Sequence, residues 1–139
     1  MQRHRKMGID YGDKRIGVAL SDLLCIISSP YEVFINKGED ESLKHLDKII
    51  KEDYVDEIAM GLPLNMDGSE GERARLHREF GQKLSDFSGV TVHFVDERLT
   101  SAEAEEILIS SGVRREKRKE LIDKLSAQII LQTFIDNKI

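Results

Sequence analysis

Residues 7–21 read Met-Gly-Ile-Asp-Tyr-Gly-Asp-Lys-Arg-Ile-Gly-Val-Ala-Leu-Ser and carry the strongest fold signal of this 139-residue chain. Two strand-like runs, Met7–Tyr11 and Arg15–Ser21, flank a Gly-Asp-Lys segment that is typical of a hairpin turn. Asp10 interrupts the first apolar run. Because a buried charge costs several kcal/mol unless it is paired or binds a metal ion, Asp10 is the first candidate functional residue.

The rest of the chain alternates helical and strand patterns. In order, we predict a strand at Tyr31–Ile35, a helix at Ser42–Lys51, a strand at Glu57–Met60, a helix from Ser69 to about Phe87, a strand at Val90–Val95, a helix from Thr100 to about Ser111 and a helix from about Lys117 to Asp136. Ser69 and Glu72, like Thr100 and Glu103, have the capping-box spacing that opens a helix. A strand meander followed by alternating elements predicts an α/β fold, a five-stranded mixed sheet with helices on both faces.

Composition indicates one globular domain over residues 1–139, with 40% hydrophobic and 34% charged residues. No apolar run reaches the roughly 18 residues of a membrane span. The basic N-terminus is not followed by a signal-peptide apolar region, because a charge arrives at Asp10. A single cysteine, Cys25, excludes an internal disulfide and a cysteine zinc site. We therefore expect a cytoplasmic protein.

Two further acids join Asp10 as candidates. Glu97 follows the Val90–Val95 strand, and Asp123 lies on the apolar stripe of the last helix. Ligands of parallel sheets gather at the carboxyl ends of the strands. Three acids at the edges of buried elements predict one acidic pocket that holds divalent cations.

Each acid also has a simpler interpretation. Asp10 could pair with Lys14 or Arg15, and Asp123 could be a first-turn acid that the helix dipole favours. Asp96 and Glu97 are adjacent and point to opposite faces of a strand, so only one of them can enter the pocket. The hydrophobic pattern alone does not decide between these two.

The net charge of −5 argues mildly against a nucleic-acid partner, because such affinity comes mainly from Lys and Arg on phosphates. The cations that flank the acids in sequence are nevertheless candidate phosphate contacts: Lys14, Arg15, Arg98, Arg114, Arg115 and Arg118. The loop residues Asn65 and Ser69 precede a helix N-terminus and could help to cradle a phosphate. Lys14, Arg15 and Arg98 could instead form surface ion pairs, and residues 114–119 could be an ordinary solvated basic run. Turn chemistry and a helix cap would explain Asn65 and Ser69 equally well.

Four blocks of sequence resemble the YqgF, or RuvX-like, family. They are residues 8–22, 61–69, 95–101 and 123–131, in the family's order and spacing. The resemblance implies a ribonuclease H-like fold and phosphodiester hydrolysis with Mg²⁺ or Mn²⁺. It implies that Asp10 bridges two metal ions, that Glu97 rather than Asp96 holds one, and that Asp123 holds the other. The implied substrate is the 5′ end of pre-16S rRNA or, alternatively, a Holliday junction.

Two other classes of protein stay open. Residues 8–12 also resemble the first phosphate loop of sugar kinases and actin-like ATPases, but those proteins need two such domains and this chain has room for one. A non-catalytic nucleic-acid-binding or ribosome-associated module is the third possibility. Metal-dependent cleavage separates a nuclease from a binding module, and ATP hydrolysis would mark a kinase-like protein. We expect nucleic acid, within the small-subunit precursor or a DNA junction, as the partner of a monomer or homodimer.

Overall fold

A computed structural model describes residues 4–98 and 100–137 of the chain, leaving the side chains at positions 100, 101, 119, 120 and 123 undescribed. Strands and helices follow one another in the predicted order. They are β1 (Arg5–Tyr11), β2 (Arg15–Ser21), β3 (Ser28–Ile35), α1 (Glu39–Glu52), β4 (Val55–Leu62), α2 (Glu72–Ser88), β5 (Thr91–Asp96), α3 (Thr100–Ser110) and α4 (Arg115–Asn137). None of the helices within residues 4–98 and 100–137 combines the length and the apolar character of a membrane-spanning helix.

The strands form one mixed sheet in the order β3-β2-β1-β4-β5. The β1–β2 and β2–β3 pairs are antiparallel, as the hairpin signals predicted. The β1–β4 and β4–β5 pairs are parallel, because helices connect these strands across the sheet. The predicted five-stranded mixed sheet is confirmed.

The two faces of the sheet bury different side chains. On one face, Met7, Ile9 and Met60 pack against buried residues of α1 and α2, such as Leu46 and Phe80. The opposite face is lined by small residues, and α4 lies on it. A Cβ atom on Gly8 would lie 2.6 Å from the Leu131 Cβ and 2.7 Å from the Ala127 carbonyl oxygen. Gly8 therefore lets the backbone of α4 approach the sheet closely.

Helices cover both faces, as predicted, and α3 packs against α4. Hydrogen bonds to Ser28 place the middle of α4 near the start of β3. Gln132 Oε1 accepts a hydrogen bond from the Ser28 N–H (2.9 Å), and the Ser28 hydroxyl donates to the Gln128 carbonyl oxygen (2.8 Å). Ser28 pairs with Ser21, near the start of β1. The N-terminal half of α4 consequently extends toward the carboxyl ends of β1 and β4.

Some predicted boundaries are wrong. The third strand begins at Ser28 rather than Tyr31 and contains Pro30. An edge strand tolerates proline, because one side of its backbone has no partner strand. The first helix begins at Glu39 rather than Ser42, after Gly38 with φ 119°. Three acids in its first turn, Glu39, Asp40 and Glu41, suit the positive end of the helix dipole.

The predicted capping box at Ser69 is also wrong. Helix α2 begins at Glu72, and its N-cap residue is Gly71, without a side-chain cap. The Ser69 hydroxyl instead donates to the Asp67 carboxylate at 2.6 Å. The local turn therefore captures the serine before the helix begins.

Candidate active site

Asp10 lies near the carboxyl end of β1, the central strand. Ile9 packs into the α1–α2 core, so the next side chain, Asp10, lies on the face that α4 covers. Ile9 pairs with Met60 in β4, which makes Gly61 the neighbour of Asp10 across the parallel ladder. The Asp10 side chain is half-buried.

Glu97 follows the last residue of β5 and turns back over β4. Its N–H donates to the Leu62 carbonyl oxygen at 3.2 Å. A Cβ atom on Gly61 would overlap the Glu97 carboxylate and would lie 2.7 Å from the Ile130 Cδ1 atom. The Glu97 side chain thus occupies the space above Gly61, next to Asp10. Only a glycine at position 61 leaves room for this arrangement.

Burial and the neighbouring Asp10 both disfavour the charged form of Glu97. The pKa of Glu97 is raised from 4.5 to about 8, first by burial and second by the negative charge of Asp10. The Glu97 side chain is 13% exposed. At neutral pH and without a cation, Glu97 therefore carries a proton, because two carboxylates cannot both ionise cheaply in this space.

Asp96 faces the other way. Its carboxylate accepts hydrogen bonds from Arg98 Nη2 at 2.7 Å and Arg98 Nε at 2.9 Å. These bonds, with one from the Arg98 N–H, hold the pKa of Asp96 below its usual range. The structure brings Glu97, not Asp96, to the side of Asp10.

Asp123 belongs to α4, but its side chain lies outside the described part of the chain. Ala127, one turn later, packs over Gly8. Since α4 extends toward the carboxyl ends of β1 and β4 as one goes back along it, position 123 lies nearer to the edge that holds Asp10. Its role as a ligand stays a prediction.

The donor atoms present suit a hard divalent cation. Among the described side chains no group of three or more His, Cys, Asp or Glu residues is close enough to hold a metal ion. The described pair, Asp10 and Glu97, supplies carboxylate oxygens, which Mg²⁺ and Mn²⁺ prefer, and Mg²⁺ is commonly held by only one or two carboxylates. A cation between them would also relieve the repulsion that raises the pKa of Glu97. The site therefore fits the implied metal.

The cations predicted to contact nucleic acid differ in their surroundings. Lys14 and Arg15 are exposed in the β1–β2 hairpin, at the same end of the sheet as Asp10. Arg98 is engaged with Asp96, and its Nη1 also donates to the Met66 carbonyl oxygen at 3.2 Å. Arg98 thereby ties the end of β5 to the loop between β4 and α2.

The predicted loop residues bond to each other. The Asn65 side-chain amide donates to the Ser69 hydroxyl at 3.0 Å, and the Asn65 N–H donates to the Ser69 carbonyl oxygen at 2.8 Å. Both residues are exposed near the carboxyl end of β4. Turn chemistry accounts for these contacts, and phosphate binding by Asn65 and Ser69 stays a prediction.

The basic run at the start of α4 contains two kinds of arginine. Arg114 and Arg115 are exposed. Arg118 is largely buried, with its Nε 3.7 Å from a Glu105 carboxylate oxygen and its Nη1 donating to the Val113 carbonyl oxygen at 3.4 Å. Arg118 therefore connects α3 to α4 and is the least available of the three for a phosphate.

Two residues near the acids were missed by the sequence analysis. The His77 Nδ1–H donates to the Gly61 carbonyl oxygen at 3.1 Å, and the ring packs edge-on against Tyr11 at 5.2 Å. Burial lowers the pKa of His77, so the ring is neutral and its 4.0 Å approach to Glu97 is not an ion pair. Arg73 borders a small cavity of about 120 Å³ with Tyr11 and His77. No local sequence signal indicates that His77 contacts Gly61, because the two residues lie 16 positions apart and meet only in the packed chain.

Comparison with solved structures identifies the fold. The structure resembles Thermus thermophilus RuvC in complex with a Holliday junction (TM-score 0.61, 11% identity, 96% of this chain and 97% of that chain). It also resembles the fowlpox virus Holliday junction resolvase (TM-score 0.58, 12% identity, 96% and 99%). At such identities the likeness shows the fold alone, and it confirms the predicted ribonuclease H-like fold.

The sequence itself assigns the family. Residues 4–137 match the family RuvX, described as Holliday junction resolvase, and the chain belongs to this family. A Lactococcus lactis relative is 44% identical over 134 residues, which are 95% of this chain and 94% of the relative. A Halothermothrix orenii relative is 46% identical over 132 residues, with the same coverage. Both are named "Putative pre-16S rRNA nuclease". The predicted family is confirmed, and these names agree with the predicted nuclease.

Proposed function

We propose that this chain is a nuclease that hydrolyses phosphodiester bonds with Mg²⁺ or Mn²⁺, and that it matures the 5′ end of pre-16S rRNA. The observation that carries the proposal is the packing of the Glu97 carboxyl group over Gly61, beside Asp10. Family membership supports the nuclease, and the names of relatives at 44–46% identity support the rRNA substrate. We assign the activity to a single domain over residues 1–139, in the cytoplasm, acting on the small-subunit precursor.

In this proposal Asp10 and Glu97 hold the cations, and Asp123 completes the ligand set from α4. Bound divalent cations would supply an activated water and would stabilise the charge that develops on the scissile phosphate. Cation binding requires Glu97 to release the proton that it holds in the metal-free protein. The His77 hydrogen bond to Gly61 keeps the backbone under Glu97 in place.

Substitution of single acids tests the site. Asp10→Asn and Glu97→Gln should each lower cleavage at least about 100-fold with Mg²⁺ or Mn²⁺, because an amide is a poor ligand for a hard cation. Asp96→Asn is the matched control, one residue away and facing solvent, and should retain most activity. Wild-type activity in purified Asp10→Asn, or a larger loss in Asp96→Asn than in Glu97→Gln, would contradict the assignment.

The alternative function is Holliday junction resolution in DNA recombination or repair, which the description of the RuvX family favours. Symmetric cleavage of two strands requires a two-fold dimer, whereas trimming of an RNA end does not. One pure preparation should be compared on a four-way DNA junction, a nicked duplex and a 5′-extended 16S precursor RNA. Preferential cutting of the RNA supports the proposal. Paired cuts in the junction by a dimer would replace it with the resolvase.

A further inference from the structure

The cations of α2, and Arg98 after β5, are mostly engaged with acids. Among the described residues, ion pairs join Arg75 to Glu72 and Glu79, Arg78 to Glu70, Lys83 to Glu39 and Arg98 to Asp96. Arg73 differs, since no carboxylate in the described part of the chain lies within 4.0 Å of its guanidinium nitrogens. A ligand could therefore bind Arg73 without breaking an existing ion pair.

Arg73 also stands beside the candidate catalytic acids. It belongs to the first turn of α2, is exposed, and borders the cavity that Tyr11 and His77 line together with Asp13, Glu39 and Glu79. Two of these acids are already paired with other cations, Glu39 with Lys83 and Glu79 with Arg75. The His77 Nδ1 atom lies 4.0 Å from a Glu97 carboxylate oxygen. One side chain, that of His77, therefore separates Glu97 from the cavity that Arg73 borders. Arg73 lies on the face of the sheet that α2 covers, and α4 covers the opposite face.

We propose that Arg73 binds a backbone phosphate of the nucleic-acid strand next to the scissile bond. The strand then passes from the Asp10–Glu97 pocket toward the first turn of α2. A planar guanidinium offers two parallel N–H donors in a fixed fork that matches two phosphate oxygens, a geometry that the compact lysine ammonium lacks. Arg73 is thus a substrate-positioning residue, and this assignment rests on the proposed nuclease function.

The geometry favours Arg73 over its neighbours on α2. Arg75 lies two residues later and holds Glu72 and Glu79, so a phosphate would have to displace two carboxylates to reach it. Arg78 has a fork of hydrogen bonds to the Glu70 carboxylate, with one of 2.9 Å from Nη2. Arg75 therefore provides a matched control, with the same charge and the same helix but no free guanidinium.

The test compares Arg73→Ala, Arg73→Lys and Arg75→Ala with wild type. Binding is measured against salt with Ca²⁺ in place of Mg²⁺, on a four-way DNA junction and on a 5′-extended 16S precursor RNA. Arg73→Ala should weaken binding about tenfold and lower the slope of log Kd against log salt by about one. Arg73→Lys should recover most of the slope but only part of the affinity. Arg75→Ala should behave as wild type. Thermal unfolding of each variant controls for folding, which an exposed side chain should not disturb.

Kinetics with Mg²⁺ separate positioning from a structural role. Loss of a phosphate contact formed in both the ground state and the transition state raises KM and changes kcat less. One contrary result is that Arg73→Ala and Arg75→Ala bind with the same affinity and the same salt slope while the wild type cleaves and Asp10→Asn does not. That result would overturn the Arg73 assignment and leave the nuclease function standing. A wild type that neither binds nor cuts either substrate would overturn the nuclease function together with it. The substrate that responds to Arg73→Ala identifies which nucleic acid follows this path.

Discussion

At the scale of single residues, the position of the Glu97 carboxylate depends on a neighbour without a side chain. Gly61 adjoins Asp10 in the sheet, and its missing Cβ leaves the space that Glu97 fills. The His77 Nδ1–H donates to the carbonyl oxygen of the same glycine. One backbone position therefore organises an acid, a histidine and the core side chain of Ile130.

Gly61→Ala should separate the acids. The added methyl group would overlap the Glu97 carboxylate and the Ile130 side chain, so Glu97 must move away from Asp10. We expect cleavage to fall at least about 100-fold, since displacement of a catalytic group by 1 Å can cost about that much. Gly71→Ala is the control, because its φ of −104° suits alanine and its Cβ would meet Asn65 at 3.4 Å, an ordinary contact. Equal activity of the two variants would show that Glu97 does not need the space above Gly61.

The raised pKa of Glu97 predicts how the stability of the metal-free protein depends on pH. Between about pH 4.5 and pH 8 the folded state keeps a proton that the unfolded state releases, so the free energy of unfolding falls as pH rises. The stabilising contribution of protonated Glu97 is fully present below its pKa in the unfolded state. It is lost as the pH rises through its pKa in the folded state.

Glu97→Gln should remove this decline and stabilise the EDTA-treated protein by roughly 2–4 kcal/mol at pH 8.5. Urea unfolding at several pH values measures the effect. Asp96→Asn serves as the control, because the pKa of Asp96 is lowered rather than raised and its titration ends below this range. If the free energy of unfolding of Glu97→Gln still falls with pH as in the wild type, a group other than Glu97 causes the fall.

At the scale of elements, the arginines where α3 leads into α4 differ in their contacts. Arg118 holds the two helices together through Glu105 and Val113, whereas Arg114 and Arg115 extend into solvent. A substitution of all three would mix loss of folding with loss of binding. The exposed pair must be tested alone.

Arg114→Glu with Arg115→Glu should lower the salt slope of nucleic-acid binding by about one for each phosphate contact that is lost, and should leave urea stability unchanged. Arg118→Ala should instead reduce stability by about 1 kcal/mol, because Glu105 loses its partner and the helices lose packing. Fluorescence anisotropy with Ca²⁺ and urea unfolding provide the two measurements. An unchanged salt slope in the double variant would indicate that Arg114 and Arg115 are ordinary solvated residues at the start of α4. The nucleic-acid strand would then follow another path.

At the scale of the whole molecule, bound cations help to reconcile the acidic net charge with the proposed polyanionic substrate. The chain carries a net charge of −5, and without a cation its acidic site would repel phosphate. A divalent cation that binds the folded state stabilises it by mass action, by about 2.7 kcal/mol at a hundred times its Kd.

Mg²⁺ or Mn²⁺ should therefore raise the Tm of the wild type at pH 8 by about 5–10 °C over EDTA at matched ionic strength. Asp10→Asn should lose most of this shift, and Asp96→Asn should keep it. Differential scanning fluorimetry gives the answer without any nucleic acid. An equal shift in Asp10→Asn would place the stabilising cation elsewhere.

Much of this protein could be predicted from local patterns. The hairpin of β1 and β2, the alternation that follows and the sequence blocks around Asp10 and Glu97 predicted the sheet, its covered faces and the RuvX family. Such signals are readable because periodicity, turns and motif spacing depend on neighbours in sequence. The predicted starts of β3 and α2 are wrong because they depend on contacts that these patterns do not contain. Tolerance of Pro30 depends on β3 being an edge strand, and Ser69 bonds within its own turn rather than to α2.

Sequence by itself determined the order of the elements and the acids that end them, because each signal lies within a few residues. Tertiary structure placed Glu97, which the family resemblance favoured over Asp96, beside Asp10. It alone showed that Gly61 makes the space, that His77 lies 4.0 Å from Glu97, and that Arg73 borders the same cavity as His77. These relations join residues from β1, β4, α2 and the end of β5. They depend on the strand register, the close approach of one backbone to a side chain and the depth of burial, which are properties of the packed chain rather than of any segment.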